Sequence, residues 1–225
     1  MGDMYVTDLK RDDKGHYILN SQGGLQMETE SSKTYGKFVG NQNADWQMGW
    51  SNSFTYKEFT LSFLVNGRIG GKVLSMTESY LDGYGLSQRT ADARLYAERN
   101  QIFADAKYGE GKLGIRLDDG SGRVVPIDSY YQSVGGVTPQ DIERYLYSGT
   151  NFRLRELAIG YTFRDLFGQN KSLNVSFIGR NLFFIYKDAP VDPDVSLSTG
   201  TGLGAFEVFN MPSSRSFGIS LNANF

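Results

Sequence analysis

Cysteine is missing from this sequence of 225 residues, so neither disulfide bonds nor thiolate metal sites are available to it. No long uninterrupted apolar run is present and the mean hydropathy is −0.38, so no transmembrane helix is expected. Basic residues are not in excess, and the net charge of −2 argues against a dedicated nucleic-acid-binding protein. The chain opens on Met1-Gly2-Asp3-Met4 with no apolar segment behind it, and no secretory signal is expected.

Aromatic residues and glycine are abundant instead. The 14 Tyr, 15 Phe and 27 Gly favour strands and turns over helices. At the end of the chain, 215–225, apolar side chains occupy every second position: Phe217, Ile219, Leu221, Ala223 and Phe225. A period of two predicts a β-strand with one apolar and one polar face. Such a strand fits a transmembrane barrel, which needs about 9–11 alternating residues, or an ordinary strand of a soluble β-sandwich.

The same alternation predicts two strand hairpins, at 46–69 and 151–184. The first strand of the first hairpin carries four large aromatic side chains on one face: Trp46, Trp50, Phe54 and Tyr56. In a barrel these four would form the aromatic belt at the membrane interface. In the second hairpin, Arg155 falls on the same alternating face as Leu157 and Ile159.

Three long polar connections separate these strands: 1–45, 70–150 and 185–214. The second is too long for an ordinary loop, so it is expected to be functional or to carry structure of its own. Short helices are predicted in it at Val73–Leu81, Thr90–Asn100 and Ile142–Tyr147, the last with Thr138 as its N-cap. Its scattered tyrosine and arginine side chains either bind ligands or pack the segment onto itself. Short turns alternating with long loops are typical of outer-membrane barrels and favour a barrel over a sandwich, with the three connections as extracellular loops.

No catalytic or metal-binding constellation is predicted, and the chain is not expected to be an enzyme. The segment 8–15 has the look of a calcium loop, but Lys10 stands where a ligand is needed and no bidentate Glu follows, so a surface turn is favoured. The single histidine, His16, lies in a polar stretch and is expected to be solvated. A glycosidase would need two carboxylates at a fixed separation, and the chain shows no such cluster.

Charged residues elsewhere also receive structural interpretations. The pairs Asp118-Asp119 and Asp192/Asp194 lie in connections rich in Gly or Pro, where turn formation is expected. Arg153, Glu156 and Arg180 lie in or beside strands. In a barrel they should face the lumen, because charge on the lipid face is costly.

Eight short segments, in order along nearly the whole chain, together resemble one family. They are Gly40–Asp45, Phe54–Lys57, Phe59–Ser62, Phe152–Leu157, Gly160–Thr162, Gly179–Phe183, Asp192–Asp194 and Met211–Phe217. This set resembles the closing region of SusC-type TonB-dependent transporters. Two positions depart from the family pattern: Ala44 stands where Pro is usual, and the segment 191–194 has Asp where Glu is common.

The resemblance implies an all-β fold, an antiparallel transmembrane β-barrel segment with long extracellular loops carrying short helices. This segment would be the last five strands of a 22-stranded barrel in the outer membrane of a Gram-negative, Bacteroidetes-like bacterium. Since closed barrels need at least about eight strands, the chain is expected to be a piece of a larger protein. Phe217, Ile219, Leu221 and Phe225 are expected to face lipid, with the terminal aromatic serving as a barrel-assembly signal.

The implied function is TonB-dependent import of glycans or peptides, without a cofactor. The implied partners are the remainder of the barrel and its plug domain, a SusD-like surface lipoprotein, outer-membrane lipid, and TonB through an N-terminal region missing from this chain. The alternative is a secreted soluble β-sandwich that binds carbohydrate through its tyrosines. The two differ in whether Trp46, Met48, Trp50 and Phe54 are exposed in a belt or buried in a core.

Overall fold

The computed structural model describes residues 2–29, 36–165, 169, 171–195, 197 and 204–224. The chain divides into two compact units, each built from three separate stretches. The mixed unit comprises 1–42, 74–147 and 197–209, and the sheet unit comprises 43–73, 148–196 and 210–225. In the part of the chain that is described, no helix combines the length and apolar character needed to cross a membrane.

Strands and helices alternate unevenly along the chain. The strands are β1 (Asp3–Val6), β2 (Lys37–Asn41), β3 (Trp46–Tyr56), β4 (Phe59–Ile69), β5 (Lys72–Ser75), β6 (Gly114–Arg116), β7 (Val124–Pro126), β8 (Leu146–Ser148), β9 (Asn151–Arg164), β10 (Ser172–Lys187), β11 (Phe206–Glu207) and β12 (Ser216–Asn224). The α-helices are α1 (Met76–Gly83), α2 (Gln88–Arg99), α3 (Ala106–Gly109) and α4 (Ile127–Val134), and a 3₁₀ turn spans Ile142–Tyr145.

The sheet unit is one antiparallel sheet of five strands in the order β12-β10-β9-β4-β3. Residues directly opposite each other in antiparallel strands share a face. Trp50 lies opposite Val65, and Phe177 lies opposite both Ile159 and Ile219, so one face is apolar across the sheet. The other face carries mostly polar or small side chains. The period-two pattern of the sequence is therefore expressed on all five strands.

A β-bulge interrupts this alternation in β9. Leu64 pairs with Glu156 but Val65 pairs with Leu154, so Arg155 is the extra residue, and the β9–β10 register shifts at the same place. A bulge re-aims the side chains beside it. Arg155 consequently lines the polar face, and the expectation that it shares a face with Leu157 is wrong.

The mixed unit packs its helices around an apolar core. Helix α4 buries one stripe at spacings of three and four, formed by Ile127, Tyr130, Tyr131 and Val134. These four residues join a core that also contains Leu25, Leu74, Ala97, Leu117, Val125 and Tyr145. The sequence analysis predicts no helix at 127–134, although the apolar residues of this stripe have helical spacing in the sequence.

The helices predicted from the sequence are found with altered bounds. The helix predicted at Thr90–Asn100 is confirmed as α2, and the Ser87 hydroxyl caps it by accepting from the Thr90 N–H at 3.1 Å. The first predicted helix begins only at Met76, because Lys72–Ser75 is a strand. The third is wrong beyond Tyr145, where the 3₁₀ turn gives way to β8, and Asp141 rather than Thr138 precedes it.

The N-terminal segment is more ordered than its loop-like composition indicates. β1 and β2 pair with each other, so the expectation of a connection without regular structure is wrong there. Three backbone amides of this segment donate to distant side chains: Tyr17 N to Asp119 Oδ2 at 2.9 Å, Leu25 N to Ser133 Oγ at 2.9 Å, and Met27 N to Gln140 Oε1 at 3.0 Å. These bonds fasten residues 17–27 to residues 119–140, and the two stretches fold as one unit.

Candidate functional site

The apolar face of the sheet holds the residues predicted to meet lipid. Phe217, Ile219 and Leu221 lie on β12, and Phe225 lies outside the described residues. The predicted belt residues Trp46, Trp50, Phe54 and Tyr56 lie on β3, at the opposite edge of the sheet. All seven described side chains are between 54% and 72% exposed. A face of this size and composition is not covered by any described part of the sheet unit.

An arginine clamp stands on the polar face, formed by Arg153, Asp192, Asp194 and Ser213. The Arg153 guanidinium is only 3% exposed. Its Nη2 donates to Asp192 Oδ2 at 2.7 Å and to Ser213 Oγ at 2.6 Å, and its Nη1 approaches Asp194 Oδ2 at 3.5 Å. The guanidinium also stacks on Phe184, 3.9 Å from the ring centroid. One side chain of β9 thus holds two separate parts of the 188–214 connection against the sheet.

Asp192 is the anionic centre of the clamp. Burial disfavours its charged form, but hydrogen bonds from the Ser213 hydroxyl and the Arg153 guanidinium outweigh this and lower the pKa of its carboxyl group. The Asp194 N–H donates to Asp192 Oδ1 at 3.1 Å, which is the local turn expected for this Asp-Pro-Asp segment. The sequence predicts the turn, but not that its carboxylates bind a buried arginine.

Beside the clamp lies a polar groove of about 530 Å³. Its wall includes Gln47, Asn66, Arg68, Asn151, Arg155 and Asp194. Arg68 Nη1 donates to the Pro193 carbonyl at 3.4 Å, and Asn151 Nδ2 donates to Asp194 Oδ1 at 3.3 Å. Amide, guanidinium and carboxylate groups in one wall offer many hydrogen bonds and little apolar surface, which suits a hydrated polar solute.

Arg153, Glu156 and Arg180 all lie on the polar face, as the cost of charge on an apolar face requires. Arg180 Nε donates to Glu156 Oε2 at 3.0 Å, and both side chains are well exposed. Arg155 Nη1 donates to Asn181 Oδ1 at 3.0 Å. Asn181 adopts a positive φ of 51°, a conformation that Asn tolerates better than most residues. The two bulged strands are therefore joined through their side chains.

The other carboxylates named from the sequence have structural roles in the mixed unit. Asp12 accepts from the backbone N–H groups of Lys14 and His16, each at 2.9 Å, which closes the turn favoured over a calcium loop. The Nδ1 atom of His16 lies 3.5 Å from Oδ2 of Asp12. Asp119 has a fully buried side chain that binds Arg123 at 2.7 Å. Among the residues described, no three His, Asp or Glu side chains are grouped to hold a metal ion.

The sequence of the whole chain resembles that of a known receptor. No family model matches the chain. Over 223 residues it is 23% identical to TonB-dependent receptor P3 of Formosa agariphila, a match that covers 95% of this chain and 19% of that protein. The chain resembles part of a TonB-dependent receptor. The resemblance inferred from the sequence alone is thereby confirmed.

Solved structures share the fold. The chain matches the RagAB peptide transporter with a TM-score of 0.58 and 17% identity, covering 97% of this chain and 22% of that one. It matches the RagAB peptide importer in the open-open state with a TM-score of 0.57 and 14% identity, at the same coverage. The chain therefore spans about a fifth of the length of the relatives it matches, at 19% and 22%. Its mostly antiparallel β fold is that of part of a transporter chain, and the relatives are named receptors and transporters, not enzymes.

Proposed function

We propose that this chain is part of an outer-membrane TonB-dependent transporter that imports glycans or peptides. The sheet unit contributes part of the barrel wall, the last five strands of a 22-stranded barrel. The mixed unit contributes extracellular structure, formed from the connections predicted as loops. The proposal follows the relatives, one named a TonB-dependent receptor and another a peptide transporter.

The two-faced sheet is the observation that carries the proposal. A barrel strand alternates between side chains toward lipid and side chains toward the lumen. The apolar face exposes large side chains on the first and last strands of the sheet, Trp50 and Ile219 among them. The polar face holds the arginine clamp and the groove. We assign the apolar face to lipid, with Phe217, Ile219 and Leu221 on the terminal strand and Trp46, Trp50, Phe54 and Tyr56 as the interface belt. For Phe225, outside the described residues, the same assignment stays a prediction from the sequence pattern alone.

Partners follow from the same proposal. Strands β3 and β12 are the edges of the described sheet, and in a barrel each pairs with a further strand of the same protein. The remainder of the barrel, its plug domain and the segment that contacts TonB lie in the longer protein. A SusD-like surface lipoprotein is the proposed lid, since the structural relatives are RagAB complexes. The source of the curated relative supports a Bacteroidetes-like outer membrane.

The exposed aromatic face favours the transporter over the secreted carbohydrate-binding sandwich. A sandwich needs a second sheet packed about 10 Å away over the apolar face. Trp46, Met48, Trp50 and Phe54 would then lie in the core between the sheets. Trp46 is instead 71% exposed and Met48 is 48% exposed.

Single-cysteine labelling tests the assignment of faces directly. These 225 residues contain no cysteine, and any cysteine elsewhere in the full-length protein is first replaced by serine. Single cysteines are placed in the full-length protein at neighbouring positions of opposite face, Ile219→Cys with Ser220→Cys and Trp50→Cys with Ser51→Cys. Each variant is labelled with an environment-sensitive fluorophore in outer-membrane vesicles that contain spin-labelled lipids. We expect lipid quenching at 219 and 50, and labelling by a water-soluble maleimide at 220 and 51.

The adjacent pairs are matched controls, because one residue along a strand changes the face and little else. Equal quenching at both members of each pair would contradict the assignment of faces. Recovery of the full-length protein in a soluble fraction without detergent would overturn the transporter and leave the sandwich as the better account.

A further inference from the structure

The mixed unit contains a cavity of about 420 Å³ that neither the clamp nor the groove involves. This is within the range of about 300–1,000 Å³ usual for small-molecule sites. It lies among the C-terminal end of α1, the first half of α2, the two residues before β6 and one side of α4. Its floor is apolar, formed by Leu113, Ile127 and Tyr131, and its rim includes Tyr84, Arg94 and Gln132.

Arg94 supplies the uncompensated charge at this cavity. Its Nη2 donates to the Gly85 carbonyl at 2.9 Å, which fixes the guanidinium at the rim. No carboxylate among the described residues forms an ion pair with it. The other charged groups of the wall are already matched, since Lys112 binds Asp128 at 3.1 Å and Asp82 accepts from a neighbouring arginine at 2.8 Å. The cavity therefore carries one free positive charge over an apolar floor.

We propose that this cavity, called the carboxylate pocket below, binds an organic monocarboxylate with a small apolar body. The carboxylate would accept hydrogen bonds from the Arg94 guanidinium, whose planar fork suits a carboxylate. The apolar body would lie against Leu113, Ile127 and Tyr131. A peptide ending in a residue such as leucine and a free N-acylated amino acid share this chemistry.

The surrounding charges favour a monoanion over a phosphate. Two carboxylates, Asp82 and Asp128, belong to the same wall. Because both are already paired with cations, Arg94 supplies one unmatched positive charge, which neutralises a carboxylate but leaves one charge of a doubly charged phosphate unmatched. Gln132 on the rim can bind the amide that precedes a terminal carboxylate.

The carboxylate pocket goes beyond the proposed transport function and does not depend on it. All of its residues belong to the mixed unit. Failure of the barrel assignment would leave this pocket unchanged, and failure of ligand binding here would leave the faces of the sheet unchanged.

The test measures ligand binding to the full-length purified protein by saturation-transfer NMR. The probes are N-acetyl-leucine, its amide, and a hexapeptide ending in leucine as free acid and as amide. We expect each acid to bind at least about tenfold more tightly than its amide, because a hydrogen bond to a charged group is worth more than one to a neutral group. Binding of the hexapeptide acid assigns the pocket to peptide ends, and binding of N-acetyl-leucine alone assigns it to free small molecules.

Two substitutions locate the binding. Arg94→Gln should weaken binding of the acids by about tenfold or more and abolish the preference over the amides, and Arg94→Lys should restore part of it. Gln132→Trp should block binding by filling the cavity without touching Arg94. The control is Arg99→Gln, an exposed arginine on the same helix, which should bind as the unaltered protein does.

Three results would overturn the proposal. One is equal affinity for acids and amides in the unaltered protein. Another is the same effect of Arg94→Gln and Arg99→Gln. The third is unaltered binding in Gln132→Trp, which would place the ligand elsewhere even if Arg94→Gln had disturbed the fold.

Discussion

Replacing Arg153 by methionine should be among the most damaging single changes on the polar face of the sheet. Methionine keeps much of the stem and removes the guanidinium, so Asp192 is left buried without its cation. The Asp192 side chain is only 6% exposed. It can relieve the free-energy cost of a buried, unpaired charge only by taking up a proton. Protonation at pH 7 of a group with an ordinary Asp pKa of about 3.9 costs about 4 kcal/mol, at about 1.4 kcal/mol per unit.

This protonation cost agrees with the loss of stability, about 3–5 kcal/mol, that follows when one partner of a buried ion pair is removed. The Ser213 hydroxyl and the Asp194 N–H still donate to Asp192 in the variant, so we expect a loss near the lower end, about 3 kcal/mol. The measurement is urea unfolding of the full-length protein in detergent, with amide hydrogen exchange of residues 188–195 as a local readout. Exchange there should accelerate before the strands β9 and β10 respond.

Arg180→Met is the matched control, because the Arg180–Glu156 pair lies on the same face but is exposed. Exposed pairs contribute about 0–1 kcal/mol. Adding Asp192→Asn to Arg153→Met should recover stability, since it removes the buried charge. A loss in Arg153→Met within about 1 kcal/mol of that in Arg180→Met would refute the reasoning, as would no recovery in the double variant.

Three further predictions concern the mixed unit. Burial opposes the charged form of Asp119, but hydrogen bonds from Ser121, Tyr17 and Arg123 prevail and hold the pKa of its carboxyl group well below the ordinary value of about 3.9. Because folding lowers that pKa, the contribution of Asp119 to stability is complete above about pH 4 and is lost as the pH falls further. Hydrogen exchange of the mixed unit should accelerate over the same pH range, and Asp119→Asn should show a flatter pH dependence. Tyr145→Phe removes a hydroxyl that donates to the buried Asp82 at 3.0 Å and should cost about 1–3 kcal/mol in urea unfolding; no change would mean that water replaces the bond. Leu74→Ala should cost about 2–5 kcal/mol, whereas the exposed Leu95→Ala should change the free energy of unfolding by less than about 0.5 kcal/mol, and similar losses would contradict the assignment of the core.

The sheet could be predicted from the sequence because its signal is local. Each strand shows its faces within about ten residues, and the apolar positions of β3, β4, β9, β10 and β12 are those found on one face. The bulge at Arg155 was not predictable in this way. It depends on the register with β4 and β10, which lie nearly 90 and 30 residues away along the chain, and a one-residue shift reverses the alternation.

The mixed unit could be predicted only in pieces. α2 has a serine cap and a helical composition, and it is found where expected. The stretch containing Leu25 reads as polar loop, because a single leucine among polar residues has no period. Leu25 nevertheless joins the core, and its backbone N–H donates to the hydroxyl of Ser133, 108 residues later. The clamp was missed for a similar reason: the turn at Asp192 is local, whereas its pairing with Arg153 spans 39 residues.

The unequal lengths of neighbouring strands have a consequence for where the clamp stands. β12 pairs with residues 172–180 of β10, and residues 181–187 continue beyond it beside β9 alone. Nine residues rise about 30 Å along a strand, or about 23 Å when tilted by about 40°, close to the apolar band of about 25 Å in outer-membrane barrels. In the proposed setting the portion paired on both sides lies in the membrane, and the last seven residues of β10, which share the level of Trp46 and Trp50 on β3, extend through the interface toward the water. The Arg153 guanidinium, stacked on Phe184, belongs to this last stretch, so the buried charges of the clamp lie toward one end of the strands and away from the centre of the bilayer.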